Sequence, residues 1–286
     1  MRPARNRPPK LEPHSGNSRA APPAPRPAPT LATLIERSKL AGPDAPGPRA
    51  AVLRRTVERL VAGDRGTLGA LAPIAGLTAV DAWVAIGHAF GATAETATID
   101  TARTIAATRA AVTQVLAAAG RGARVAIATA RPASLMTVHL AFARLAGVYG
   151  ADVVDLADFG PIRADGRTPR WLRWVGGVAV VSDGHALCGS RDGEAAREWM
   201  FAIPRPSLVI ADGPFAEVAW ESGAEVVAFA GLDRPGLAVA AALGGRCTFV
   251  PMRTDCPTRD YRVIEDLIAS PEAVFESLPP PRVAEM

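Results

Sequence analysis

From residue 124 onward, the chain alternates short apolar runs with longer segments of helical period. An apolar run of four to eight residues is typical of one buried strand, and each longer segment can form the helix that returns the chain to the start of the next strand. This alternation favours βαβ units, in which helices cover both faces of a parallel sheet. The predicted strands are residues 124–129, 152–156, 207–211, 225–230 and 246–250.

These units predict an α/β fold with a mainly parallel, doubly wound (Rossmann-like) sheet, because crossovers between parallel strands are right-handed. The stretch 173–182 predicts one further strand. Asp183 and Gly184 follow it and form the strongest hairpin signal in the chain, with residues 185–188 as the returning strand. We expect this hairpin to be an insertion or an antiparallel edge of the sheet.

The rest of the chain predicts three further regions around an α/β core of residues 121–275. Residues 1–30 contain nine prolines and few large apolar side chains, which indicates a disordered Pro/Arg-rich tail. Residues 31–120 predict helices that pack on the core, including one over 78–90 that Thr78 and Asp81 cap. Asp100 or Thr98 begins another helix, which ends near Ala119. Residues 276–286 predict a flexible C-terminus.

Charge and cysteine content exclude several classes of protein. Residues 1–50 hold nine basic and three acidic residues, a net +6, so a total of +4 leaves −2 on the remainder. A slightly acidic folded region does not favour specific nucleic-acid binding. Three widely spaced cysteines argue against a disulfide framework, and the sequence shows neither a signal peptide nor a membrane-spanning run. We therefore predict a soluble, cytoplasmic protein that does not bind membranes.

Polar residues follow each predicted parallel strand. Ligands of open α/β sheets bind beyond the carboxyl ends of the strands, so these residues are the candidate site. Carboxylates there could hold Mg²⁺, and an arginine at the start of a helix could hold phosphate. The predicted phosphate-binding residues are Thr129 and Arg131, and the predicted metal ligands are Asp212, Asp233 and Asp255. Helix capping and solvent exposure are the competing interpretations of the aspartates and of the arginine.

His139 is the candidate histidine. It lies on the predicted helix after the first strand, where it is either a core histidine or a residue that points toward the strand ends. The sequence lacks the dinucleotide fingerprint G-x-G-x-x-G, the P-loop, the G-x-S-x-G elbow and a strand ending in D-x-D-x-[TS]. These absences disfavour the common nucleotide-binding, serine-hydrolase and phosphoaspartate classes.

Several blocks of the sequence, in order, resemble an actinobacterial phosphatase-like family. Residues 127–140 (IATARPASLMTVHL) resemble its A-T-G-H-P-x-x-L-L-x-x-H block, and 210–223 (IADGPFAEVAWESG) resemble its V-A-D-H-G block. Weaker blocks lie at 174–179, 229–240 and 250–261. The resemblance covers about residues 80–270 and implies a phosphatase.

The sequence departs from the family pattern at positions that could carry its chemistry. Arg131 and Gly213 stand where the pattern has histidine, and Gly231 stands where it has aspartate. Arg253 and Thr254 replace a pair of aspartates. If those side chains bind metal or transfer protons, this protein would bind a phosphorylated ligand without hydrolysing it.

Three functions are therefore open. The first is a metal-assisted hydrolase of a small phosphate monoester, with His139, Asp212 and Asp233 in catalytic roles. The second is a non-catalytic module that binds a phosphorylated metabolite or nucleotide. The third is a lyase or cyclase whose small carboxylate substrate is held by Arg131. The predicted partner in the first two is a small phosphorylated metabolite.

Overall fold

The computed structural model describes residues 29–157, 159–162, 169–191, 193–244 and 246–271. The predicted disordered tail lies outside this part of the chain except for its last two residues, and the predicted flexible C-terminus lies wholly outside it. Both stay predictions, as does the division of the chain into four regions.

The described strands form one mixed sheet in the order β3-β4-β5-β1-β7-β8-β9. Strand β2 also pairs with β1, and β6 pairs with β5. The strands are β1 Arg124–Thr129, β2 Asp152–Val153, β3 Phe159–Ile162, β4 Arg170–Val175, β5 Val178–Ser182, β6 Leu187–Cys188, β7 Leu208–Asp212, β8 Glu225–Ala230 and β9 Cys247–Pro251.

The centre of the sheet is parallel. Strand β1 pairs in parallel with β7, β7 with β8, and β8 with β9. All five residues of β7 are buried, as are the last five of β1, which explains why these strands are continuous apolar runs rather than alternating ones. The α/β class and the mainly parallel sheet are thus confirmed, whereas the doubly wound, Rossmann-like winding stays a prediction.

The other side of the sheet contains antiparallel strands and corrects one prediction. Residues 173–182 are not one strand, because Gly176 and Gly177 turn the chain between β4 and β5 with φ of 58° and 81°. Two successive residues with positive φ are what a type I′ hairpin turn requires. The predicted turn at Asp183 and Gly184 does join two antiparallel strands, β5 and the short β6. The predicted strand 152–156 is also shorter, since β2 has only two residues.

Helices precede and follow the parallel strands. The predicted helix over 132–148 is confirmed, with Pro132 in its first turn. The helices are α1 Leu31–Arg37, α2 Ala50–Val61, α3 Arg65–Leu68, α4 Ala79–Phe90, α5 Thr101–Ala119, α6 Pro132–Val148, α7 Gly193–Ala202, α8 Gly213–Glu221, α9 Gly236–Leu243, a 3₁₀ helix Thr258–Tyr261 and α10 Arg262–Ala269. Within the described residues, none of the helices combines the length and apolar character that crossing a bilayer requires.

The N-terminal helices share a single hydrophobic core with the sheet. Helix α5 packs on β9, and α4 contacts both β9 and α9. The ring of Phe90, at the end of α4, meets Phe249 of β9 edge to face with centroids 5.0 Å apart. Deep in the same region, the Thr104 hydroxyl donates to the Pro251 carbonyl oxygen at 2.6 Å. These contacts fix the N-terminal helices beside the end of β9, where the sheet's polar edge begins.

Side-chain caps define where the two long N-terminal helices begin. Thr78 and Asp81 form the predicted capping box of α4. Asp100, rather than Thr98, caps α5, and its carboxylate accepts the backbone N–H of Ala102 at 2.7 Å. Each cap satisfies backbone donors that the helix itself leaves unpaired.

We expect Asp100→Ala to lower the free energy of unfolding by about 1 kcal/mol, because the first N–H groups of α5 lose their acceptor. Asp100→Asn is the matched control, since asparagine caps helices about as well as aspartate. Urea denaturation at neutral pH measures both changes. Equal losses in the two variants would show that the carboxylate charge, not the cap, supplies the stability.

Candidate functional site

The carboxyl ends of the central parallel strands place four predicted site residues at one edge of the sheet. Thr129 ends β1 and Asp212 ends β7, while Asp233 follows β8. Arg131 follows β1 and contacts both Asp233 and Thr254, the second of which follows β9. Residues that lie more than 100 positions apart in the sequence therefore meet around a single guanidinium group.

Arg131 occupies the position just before α6 and is only partly exposed, at 26% of its side chain. Its backbone N–H donates to the Thr129 hydroxyl at 3.0 Å, which fixes the turn that leaves β1. Its guanidinium forms an ion pair with Asp233 at 3.0 Å and donates to the Thr254 hydroxyl. Burial disfavours the charge, but the charge and hydrogen bond of Asp233, helped by Asp212 and Asp255, raise the pKa of Arg131.

Asp212 is a fully buried carboxylate. Its Oδ1 accepts the backbone N–H of Ala130 at 3.1 Å, so it ties the end of β7 to the turn after β1. Its other oxygen, Oδ2, is also buried, and no described residue donates a hydrogen bond to it. A buried carboxylate oxygen without a donor is costly, so positive charge near this edge would stabilise Asp212.

His139 lies beneath the site on α6 and is fully buried. Its Nδ1 lies 2.9 Å from the Leu135 carbonyl oxygen, and a carbonyl can only accept, so Nδ1 carries a proton. Its Nε2 lies 3.6 Å from Oδ1 of Asp212, and its ring packs on Phe229. Burial lowers the pKa of His139, against the opposing effects of the Asp212 charge and the bond to Leu135. The imidazole is therefore neutral at pH 7, and its buried Nε2 lies beside Asp212 without a hydrogen bond.

Asp255 is the most exposed of the predicted residues. Its carboxylate forms an ion pair with Arg253 at 3.0 Å, and its side chain is 68% exposed. Arg253 is itself largely buried, and its backbone carbonyl accepts the Tyr261 hydroxyl at 3.0 Å. Asp255 is thus on the same edge but faces outward, away from the buried Asp212.

A cavity of about 300 Å³ opens beside these residues. One wall comes from the loops after β8 and β9, including Asp233, Arg253 and Asp255. The facing wall comes from the N-terminal region, through residues 45–48 together with Ala97 and Ile99. The cavity is thus charged on the sheet side and mostly apolar on the other, and its size suits a small metabolite.

Several residues of this region were not predicted from the sequence. Glu217, on α8, is buried and accepts the backbone N–H of Ala70 at 2.7 Å. Its carboxylate lies 3.6 Å from the guanidinium of Arg234, and burial raises its pKa, against the effect of Arg234. A glutamate within the apolar stretch PFAEVAW was the available signal. The sequence does not predict that residues 45–48 form a wall of the cavity, because a Pro/Gly-rich loop indicates only where a helix ends.

A shared magnesium ion does not fit this arrangement. Such an ion needs several oxygen ligands directed at one point. Asp233 is paired with Arg131, Asp255 is paired with Arg253, and Asp212 is buried against Ala130. In the part of the chain that is described, no group of three or more His, Cys, Asp or Glu side chains has the arrangement of a metal site. The magnesium ion stays a prediction from sequence, and no step below is assigned to it.

Comparison with known proteins finds similarity to phosphatases. The model of the family described as Phosphatase matches residues 28–272. A protein of Streptomyces coelicolor named as a phosphatase is 29% identical over 160 residues, which is 54% of this chain and 59% of that protein. The chain thus matches less than two thirds of that relative's length. No solved structure matches the chain.

The buried state of His139 predicts a specific loss of stability in acid. In the unfolded chain the imidazole takes up a proton as the pH falls through its ordinary pKa of 6.5, while in the folded chain its lowered pKa keeps it neutral. Unfolding therefore takes up a proton below pH 6.5, and stability falls by at most about 1.4 kcal/mol per pH unit from this group.

We expect His139→Leu to lose less stability than the parent chain between pH 7.5 and pH 5.5 in urea denaturation. His185→Leu removes an exposed turn histidine and is the matched control. The interpretation fails if the parent, His139→Leu and His185→Leu lose stability equally over this interval.

Proposed function

The chain belongs to the Phosphatase family, and on that premise we propose that it hydrolyses a small phosphate monoester at the sheet edge around Arg131. The observation that carries the proposal is the position of the Arg131 guanidinium, which joins Asp233 and Thr254 beside a cavity of metabolite size. Because the match to the curated relative is partial, the substrate class is inferred from this site alone.

Arg131 would bind the phosphate group. A guanidinium has five N–H donors, and its contacts with Asp233 and Thr254 need only two of them. Bidentate arginine–phosphate pairs are strong because both partners are charged and their geometries match. Arg253 lines the cavity itself and adds a cation to the wall that holds Asp233 and Thr254, the two partners of Arg131. The cavity of about 300 Å³ would admit the rest of a compact ester against residues 45–48.

Asp233 would position the attacking water. Its carboxylate lines the cavity and is 52% exposed, so it can accept a proton from water while it stays paired with Arg131. In this step the water oxygen bonds to phosphorus, the phosphorus–oxygen ester bond breaks, and the leaving alcohol takes up the proton. The products are orthophosphate and the free alcohol. Arg131 would stabilise the charge that spreads over the phosphoryl oxygens.

Asp212 and His139 would act as positioning residues. The bond from Ala130 to Asp212 holds the turn that carries Arg131, and His139 lies behind Asp212. Because both side chains are fully buried, we assign His139 an indirect role rather than that of a general acid in contact with substrate.

A second function, binding without turnover, is favoured by one observation. A Cβ atom at Gly231 would lie 2.7 Å from Oδ1 of Asp233, so Asp233 fills space that a side chain at 231 would need. Arg131 also engages the carboxylate that would have to accept the water's proton. The same edge could therefore hold a phosphorylated ligand and leave it intact. The lyase or cyclase function and the cytoplasmic location stay predictions from sequence.

For Arg131→Ala we expect a 10- to 100-fold rise in KM for a phosphate monoester, because a charge-assisted hydrogen bond to phosphate contributes about 1.5–3 kcal/mol. The matched control is Arg124→Ala, which removes an arginine paired with Asp152 at the opposite end of β1. Steady-state assays on a panel of small phosphate esters, with and without added Mg²⁺ or Mn²⁺, measure both variants. Turnover no greater than that of Asp212→Ala would end the hydrolase proposal.

Thermal unfolding with orthophosphate separates the two functions. A binding module predicts an orthophosphate-dependent rise in Tm that Arg131→Ala abolishes and Arg124→Ala keeps, with no turnover of any ester. A hydrolase predicts the same rise together with turnover. Absence of the rise in the parent chain would contradict both.

A further inference from the structure

The charge arrangement at the sheet edge points to a function for Arg131 beyond contact with phosphate. Three carboxylates act on its guanidinium: Asp233 through an ion pair of 3.0 Å, and Asp212 and Asp255 through their charges. The Arg131 side chain is only 26% exposed, so these interactions are less screened than those of fully exposed pairs.

Asp212 provides an independent sign that a cation is needed at this place. It is fully buried, and its Oδ2 receives no hydrogen bond from the described residues. Burying a carboxylate charge is costly unless positive charge lies close to it. Arg131 is the cation that acts on it through the electrostatic interaction noted above, and it lies just beyond Ala130, whose N–H binds Asp212.

We infer that Arg131 is a built-in cation that takes the place of a divalent metal ion at this edge, so that the site binds phosphate without metal and excludes divalent cations. The exclusion has a simple physical origin. Hard metal ions bind carboxylate oxygens, and Arg131 already engages Oδ2 of Asp233, one of the carboxylates that would have to supply a ligand. A metal ion would also have to approach a fixed positive charge, which costs free energy at short range.

A guanidinium in place of a metal ion changes the chemistry that is available at the site. A guanidinium can stabilise negative oxygen atoms, as a metal ion does, but it does not lower the pKa of a bound water. Any water that attacks here therefore needs another acceptor for its proton, and the Asp233 carboxylate lines the cavity. The absence of a metal-activated water would make Asp233 more important than in a metal-dependent site.

The test is a titration of MnCl₂ into the 286-residue chain by calorimetry, with no substrate present. We expect no saturable binding to the parent chain up to millimolar Mn²⁺. Arg131→Ala should gain a saturable site for one Mn²⁺ per chain, with a Kd at least 10-fold below the highest Mn²⁺ concentration that leaves the parent unbound. Arg131→Lys, which keeps a cation, should not. Adding Asp233→Asn to Arg131→Ala should weaken the binding at least 10-fold, and Arg124→Ala should match the parent.

Two outcomes of the titration overturn the inference: stoichiometric Mn²⁺ binding by the parent chain, or a folded Arg131→Ala variant that binds no more Mn²⁺ than the parent. Circular dichroism establishes folding, and Arg131→Gln, which keeps a donor for Thr254, replaces the alanine variant if that one is unfolded. Orthophosphate binding by the parent should be the same with and without EDTA, and a loss of 10-fold or more in EDTA would also overturn it. Because the titration needs no turnover, its result is independent of whether the chain hydrolyses esters.

Discussion

The hydrogen bond from the backbone of Ala130 to the buried Asp212 carboxylate is the contact on which the site depends. It links the ends of two adjacent parallel strands at the point where one chain segment turns into α6 and the other into α8. Since Asp212 is shielded from water, this bond cannot be exchanged for a bond to solvent at little cost. The direction in which Arg131 leaves the sheet is therefore set by a carboxylate 82 positions away.

Around that bond, the charged side chains of the edge form ion pairs with one another and do not converge as ligands of one metal ion. Arg131 is matched with Asp233, Arg253 with Asp255, and Arg234 with the buried Glu217. Each arginine neutralises a carboxylate locally and retains N–H groups beyond those its ion pair uses. The donors beyond those used in the ion pairs suit the phosphorylated ligand that we propose for this edge.

The N-terminal helices matter to function because they complete the cavity. Contacts of α5 with β9 bring residues 97 and 99 to the strand ends, and residues 45–48 lie on the same wall. The Glu217 carboxylate binds the backbone at Ala70 and so anchors the N-terminal region to α8. The side that we propose binds phosphate and the side that would select the organic group therefore come from different parts of the chain. This separation allows substrate preference to change without change at Arg131.

Much of this molecule follows from the sequence itself. The apolar runs at 124–129 and 225–230 define strands to the residue, because strands buried on both faces need uninterrupted apolar side chains. The same logic placed Thr129, Arg131, Asp212 and Asp233 at or just beyond the strand ends. Local rules failed where two signals competed, as at Gly176 and Gly177, whose turn divides a continuous apolar stretch into two strands.

Only the tertiary structure decided which charges meet. The sequence cannot show that Arg131 pairs with Asp233, that the buried Asp212 accepts the backbone N–H of Ala130, or that a Pro/Gly-rich loop forms one wall of the cavity. These facts depend on strand order and on distances between residues far apart in the chain. The sequence thus determined the elements and the polar residues at their ends, since both are local properties. Packing determined the pairing of those residues, because electrostatic partners are chosen by distance in space.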